Sequence, residues 1–280
     1  MKFLIIQENG RHDKNRNFRE CFCMQRALIK IGEECDIWGL GHSNYRKIPE
    51  YHKYDVIINF ENCDGTGWIP DLSSVNKFKL YWAIDEHCRG ADVFEAERRR
   101  SKYNIILHST LDYVRKDGIW FPNCFDDTVI YTKDIQKRCD IGFCGNIVNR
   151  QQYLDFLKRN FNFISDIFVI GDDMVNAINS YRIHFNKNIA NDINYRNFET
   201  IGCKIPLITN YDRQYDKLGF VDGGNCIFYR NLEELKEKIL YFLNNTSQLN
   251  EIADNGYILS KVHTYESRAR SLVKYILEKV

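Results

Sequence analysis

Short apolar runs alternate with helix-like segments along the whole chain, and that alternation leaves few folds open. Lys2 to Ile6, Glu34 to Trp38, Asp55 to Phe60, Phe78 to Ile84 and Asn104 to His108 read as strands. A helical stretch from about Phe18 to Ile31, stopped at Gly32, separates the first two, and a charged helix around Phe94 to Lys102 precedes the fifth. Strands that alternate with helices pair in parallel, because a crossover helix carries the chain back to the same edge of the sheet. The fold class is therefore expected to be α/β.

The pattern restarts at Asp140. Ile141 to Cys144 reads as a strand, Gly145-Asn146 as a turn and Arg150 to Arg159 as a helix; Phe163 to Ile170, Arg182 to Phe185, Pro206 to Thr209 and Asn225 to Tyr229 supply further strands. Helices follow at Leu232 to Leu243 and Ser247 to Asn255, and a last one from about Thr264 carries Leu272, Val273, Ile276 and Val280 as an apolar stripe. A chain of 280 residues suits two domains. The expected organisation is residues 1–135 as one unit and 136–263 as a second, joined between about Thr132 and Asp140, with 264–280 as a final helix.

Bulk properties exclude several classes. Net charge is +1, so no global field recruits nucleic acid or an anionic membrane. No run of roughly 18 apolar residues exists, which argues against a membrane span. The first residues turn polar after Ile6, too soon for a signal-peptide core, so the expected location is cytoplasmic. Ten cysteines are scattered without a C-x-x-C pair, several inside apolar runs, which reads as reduced thiols rather than a disulfide or zinc framework.

Several motifs in the second half sit at specific spacings. They are His184-Phe185-Asn186, then Arg196-Asn197-Phe198-Glu199, Gly202-Cys203 and Pro206-Leu207-Ile208-Thr209. Upstream stands Cys139-Asp140-Ile141-Gly142-Phe143-Cys144-Gly145-Asn146; downstream come Asn225 to Arg230 followed by LEELKEKILYFLNN, and the tail ADNGYILSKVHTYESR from Ala253 to Arg268. Together these resemble the nucleotide-sugar-binding half of GT-B glycosyltransferases, specifically the group-1-like set that includes the CgeB spore-maturation proteins. The resemblance implies two Rossmann-like domains whose parallel sheets face a central cleft, with the final helix crossing back to the first domain. It covers nearly all of the second unit and little of the first.

The implied activity is transfer of a sugar from a nucleotide-diphosphate donor, UDP- or GDP-sugar, to an acceptor hydroxyl. A carboxylate on a helix turn beside a parallel sheet's C-terminal edge suits a ribose, which nominates Glu199. Its bland counterpart is a helix-start acid favoured by the dipole. Gly145, Asn146 and Arg150 form a strand–turn–helix phosphate site, and Arg196, Asn197 and Phe198 open a second helix whose N–H groups add donors. Arg150 and Arg196 read equally as solvated surface arginines. No metal is expected: D-x-D does not occur, and the adjacent acids Asp126-Asp127 and Asp172-Asp173 diverge. No cofactor is expected beyond the nucleotide-sugar co-substrate.

Two loops of the first unit are candidates for the acceptor side. Gln7 to Phe18 holds Arg11, His12 and Arg16 and is locally basic, fitting an anionic acceptor or the donor diphosphate, or simply an exposed polar loop. Trp82 to Arg89 holds Asp85, Glu86 and His87. Asp85 is the first candidate for a general base and His12 the second, with Arg11, Arg16 and Glu86 as acceptor contacts. The alternative for Asp85 and Glu86 is a helix cap. Trp68 suits either stacking on a sugar or base, or a place in the core. The acceptor is open: glycan, metabolite, protein or hydroxylated DNA base. A non-catalytic nucleotide-sugar-binding protein on the same scaffold is the competing reading; donor base, anomeric outcome and oligomeric state are not legible.

Overall fold

The computed structural model describes residues 1–10, 12–62 and 67–279. The chain forms two α/β units, one comprising Met1–Asn123 with Tyr265–Val280 and the other Cys124–Thr264. The division after Asn123 falls earlier than the 132–140 expected. Residues 124–135 join the second unit because Phe125 bonds to the His263 carbonyl and Asn179 binds the backbone of Tyr131 and Lys133.

In the first unit, β1 (Lys2–Ile6) leads through a 3-10 turn at Asp13–Phe18 into α1 (Glu20–Lys30), then β2 (Glu34–Trp38), β3 (Val56–Phe60) and β4 (Phe78–Ala83). The short α2 (Glu86–Arg89), α3 (Ala91–Ser101), β5 (Ile105–His108) and β6 (Gly118–Trp120) follow. The strands form one parallel sheet in the order β2-β1-β3-β4-β5-β6. Central β3 reads VIINF and is buried throughout, whereas edge strand β2 alternates exposed and buried residues. That contrast follows from helices covering both faces of the centre. β6 escaped sequence reading because three half-buried residues carry no periodic signal.

The second unit contains β7 (Cys139–Gly145), α4 (Gln151–Asn160), β8 (Phe163–Ile167), α5 (Asp172–Asn179), β9 (Tyr181–Phe185) and α6 (Tyr195–Gly202). It continues with β10 (Leu207–Asn210), α7 (Gln214–Lys217), β11 (Ile227–Tyr229), α8 (Leu232–Asn244) and α9 (Thr246–Ser260). Its parallel sheet runs β11-β10-β9-β7-β8. Close packing fixes two glycines here. A methyl group on Gly142 would meet the Tyr181 ring at 2.1 Å, and one on Gly202 would meet the Phe125 ring at 2.3 Å.

The last helix, α10 (Tyr265–Leu277), belongs to the first unit and packs on α1. Tyr265, Ala269, Leu272 and Ile276 are buried, a helical stripe at three- and four-residue spacing. Val273 is half-buried, and Val280 lies outside the described residues. Arg268 donates to the Pro122 carbonyl at 2.9 Å, and Lys30 pairs with Glu266 at 2.7 Å. Among the described residues no helix is long and apolar enough to cross a membrane.

Candidate functional site

Strand C-terminal ends in a parallel sheet leave loops free to carry function. In the second unit those loops are held by an amide network. Asn188, buried after β9, donates to the Tyr215 hydroxyl at 2.7 Å, and its carbonyl oxygen accepts from Asn186, Asn194 and Asn197 at 3.1, 3.1 and 2.8 Å. Tyr215 donates to Asn197 Oδ1 at 2.8 Å, and Asn188 N–H donates to Asn210 Oδ1 at 2.7 Å. Side-chain amides both donate and accept, so buried asparagines satisfy one another where a backbone ladder has ended. The N-terminus of α6 is fixed within this network, since Asn194 caps the helix by accepting from Arg196 N–H.

Three cations gather beside it. Buried Arg150 donates from Nε to the Lys187 carbonyl at 2.8 Å and from Nη1 to the Asn146 carbonyl at 2.9 Å, tying the loop after β7 to the loop after β9. Burial lowers its pKa, and the Arg196 charge lowers it further. Lys187 lies 5.1 Å from the Tyr153 ring centroid, its pKa lowered by burial and then by Arg150. Arg196 donates to the Cys144 carbonyl at 2.9 Å and is ion-paired with Glu199. Beneath them, fully buried His184 donates from Nδ1 to Thr200 Oγ1 at 2.5 Å, since the Thr200 hydroxyl gives its own proton to the Arg196 carbonyl; burial and then Arg196 push the His184 pKa down to about 3, so it is neutral. Mutually repelling cations of this kind make a site that favours an anion.

The structure thus brings Gly145, Asn146, Arg150, Arg196 and Glu199 to one end of one sheet. Two residues expected to add N–H donors at the start of α6 turn their side chains inward. Asn197 is fully buried with its amide spent in the asparagine network, and Phe198 is core, its ring 5.2 Å from that of His263. Lys187 was missed, because a single lysine between asparagines carries no sequence signal.

In the first unit, the loop after β1 lines a cavity of about 210 Å³ with Glu8, Asn9, Gly10, His12, Asn15, Arg16 and Arg19. His12 and Arg16 are exposed, and Arg16 is ion-paired with Asp13. Arg11 lies outside the described residues. Asp85 is half-buried directly after β4, and burial raises its pKa. Its turn is set by Glu61, which accepts from Ile84 N–H at 2.6 Å and Asp85 N–H at 2.7 Å. Burial pushes the Glu61 carboxyl up to about 7. Glu86, expected to contact the acceptor, is fully buried and bonded to His108 Nδ1 at 2.9 Å, so it serves the interior instead. Trp68 packs against Trp38 and Tyr45, which makes it part of an aromatic cluster.

Residues 137–274 match the family model described as glycosyl transferase-like. Solved structures of GT-B fold extend the likeness to the whole chain. An α-glucosyltransferase in complex with UDP and a 13-mer DNA is 11% identical, with a TM-score of 0.70 over 99% of this chain and 100% of its own. HepE of Anabaena in complex with UDP is 10% identical, TM-score 0.68, over 99% and 100%. T4 phage BGT in complex with UDP and Mn²⁺ is 13% identical, TM-score 0.67, over 98% and 99%. No curated protein matches the chain. By fold the chain is of the GT-B type.

Proposed function

We propose that the chain moves a sugar from a UDP- or GDP-sugar to an acceptor hydroxyl without a metal ion, with the donor held by the second unit. The observation that carries this reading is the convergence of Arg150, Lys187 and Arg196 beside the capped start of α6. In transfer, the acceptor oxygen bonds to the anomeric carbon, the bond from that carbon to the diphosphate oxygen breaks, and the nucleoside diphosphate leaves with the electron pair. Two guanidinium groups and an ammonium offset the charge that develops on it. Glu199 takes the ribose hydroxyls, while Gly145 and Asn146 border the phosphates. If the reaction inverts the anomeric centre, Asp85 accepts the acceptor proton, with His12 as the second choice. UDP in the three similar structures supports a uridine donor. A cytoplasmic location fits a nucleotide-sugar donor and the free thiols of the nine described cysteines.

Incubating the full chain with radiolabelled UDP-glucose and GDP-mannose, with EDTA or with Mn²⁺, tests the reading. Release or transfer of label in EDTA is the expected result. Label movement only with Mn²⁺ removes metal independence, and nucleotide binding without any turnover leaves a binding protein instead.

A further inference from the structure

Tyr215, Asn188 and Asn197 close a ring of hydrogen bonds in the second unit. Asn188 Nδ2 donates to the Tyr215 hydroxyl at 2.7 Å, that hydroxyl donates to Asn197 Oδ1 at 2.8 Å, and Asn197 Nδ2 donates back to Asn188 Oδ1 at 2.8 Å. Each member gives one proton to the ring and takes one, so the bonds run in a single sense and polarise one another. Burial raises the Tyr215 pKa, so the phenol keeps the proton that closes the ring. Its aromatic face is fixed as well, with ring centroids 5.0 Å from Phe220 and 4.8 Å from Phe228. All three members are buried, and all three are neutral.

The ring ties together the loop after β9, the first turn of α6 and the short α7. Two of its members stand next to cations. Asn188 follows Lys187, whose carbonyl accepts from Arg150 at 2.8 Å, and Asn197 follows Arg196. These cations oppose one another: beyond the effect of burial, the Arg196 charge lowers the Arg150 pKa, and the Arg150 charge lowers that of Lys187. Like charges gathered in one place spread unless their backbone is held. Further carboxylates placed to hold it would cancel the field that attracts an anion, whereas two amides and a phenol hold it at no cost in charge.

We propose that Tyr215 is a positioning residue for the donor diphosphate, closing a neutral ring that keeps Lys187 and Arg196 at the spacing the phosphates need. That role rests on the donor reading of the second unit. Tyr215 is fully buried, so it acts through Asn188 and Asn197 and does not touch the nucleotide. The four-residue α7 thereby gains a purpose, since it carries the hydroxyl that links the loop after β9 to the start of α6.

NMR titration of the full chain with UDP, GDP, uridine and guanosine tests this, with thermal unfolding as the check on folding. Tyr215→Phe deletes the hydroxyl and keeps the packing on Phe220 and Phe228. It should weaken binding of the preferred nucleoside diphosphate at least about fivefold, the equivalent of one hydrogen bond, while the matching nucleoside binds within about twofold of its original affinity. Asn188→Ala opens the same ring at another member and should lose at least as much. The double variant should bind no worse than Asn188→Ala alone, because a ring opened once is already open. Diphosphate affinity that neither substitution moves overturns the proposal. Equal losses for diphosphate and nucleoside, or losses that add in the double variant, overturn it too, since they report a general loosening of the unit. If the unaltered chain binds neither UDP nor GDP, the donor reading itself fails and this role falls with it.

Discussion

Arg196 and Glu199 are ion-paired one helical turn apart at the start of α6, while Arg196 also donates to the Cys144 carbonyl at the end of β7. The carboxylate proposed for the ribose and a guanidinium proposed for a phosphate are thus mechanically one unit. Glu199→Ala should weaken UDP binding by about 1–3 kcal/mol, read by calorimetry, since a charge-assisted hydrogen bond is lost. Arg196→Met combined with Glu199→Ala should depart from additivity by about 0.5 kcal/mol or more. Unchanged UDP affinity in Glu199→Ala would count against the ribose role.

Asp85 tests the chemistry separately from binding. If product NMR shows inversion, Asp85→Asn should lower turnover by about 10² to 10⁴ with UDP affinity nearly intact. If configuration is retained, no such base is required and the effect should be mild. A large loss of UDP affinity in this variant would assign Asp85 to the donor instead.

Glu61 gives a pH signature. Its carboxyl titrates near 7 in the folded chain against 4.5 ordinarily, because burial disfavours the charged form. Between those values the native state holds a proton that the unfolded state releases. Its contribution is therefore full below pH 4.5 and is lost as pH rises through 7. Glu61→Gln keeps the accepting oxygen but not the titration. Relative to wild type it should gain stability from pH 5 to pH 8, on the order of 3 kcal/mol at most, in urea unfolding. An equal difference at both pH values would show that the carboxyl is not desolvated.

Of the nine described cysteines, Cys88 is exposed and the rest are buried. Burial pushes the Cys21 and Cys203 thiols up to about 12. Thiolate is the reactive form, so peptide mapping after brief native iodoacetamide treatment at pH 8 should find Cys88 labelled and Cys21 and Cys203 untouched. Equal labelling of all three would mean that the native packing is not maintained.

Much of the fold was legible because parallel sheets write themselves as apolar runs between helices, and β1 to β5 appear almost where the pattern puts them. The site was legible only where a residue type implies its role. Arg150 and Arg196 stand at helix starts after strands, and that context survives folding. Glu86 was misread because Asp85 and Glu86 are adjacent acids, and only the placement of His108 on β5 draws one of them inside. Asn197 and Phe198 share a helix turn with Arg196 and Glu199, but rotation about the axis sends them inward. Lys187 and Glu61 act through neighbours far along the chain, which no local spacing encodes.

The parallel pairing of Phe125 with Thr264, next to the bond from Phe125 N–H to the His263 carbonyl, sets the two ends of the second unit side by side. During synthesis that unit is a closed excursion: every residue it needs has been made before α10 emerges. The first unit has no such independence. Its sheet is complete by Trp120, yet the face of α1 that α10 covers stays open until α10 itself has been made. A chain released before Tyr265 would carry a finished second unit and a first unit with unburied apolar surface, a state prone to self-association. The first unit is thus completed only after the second.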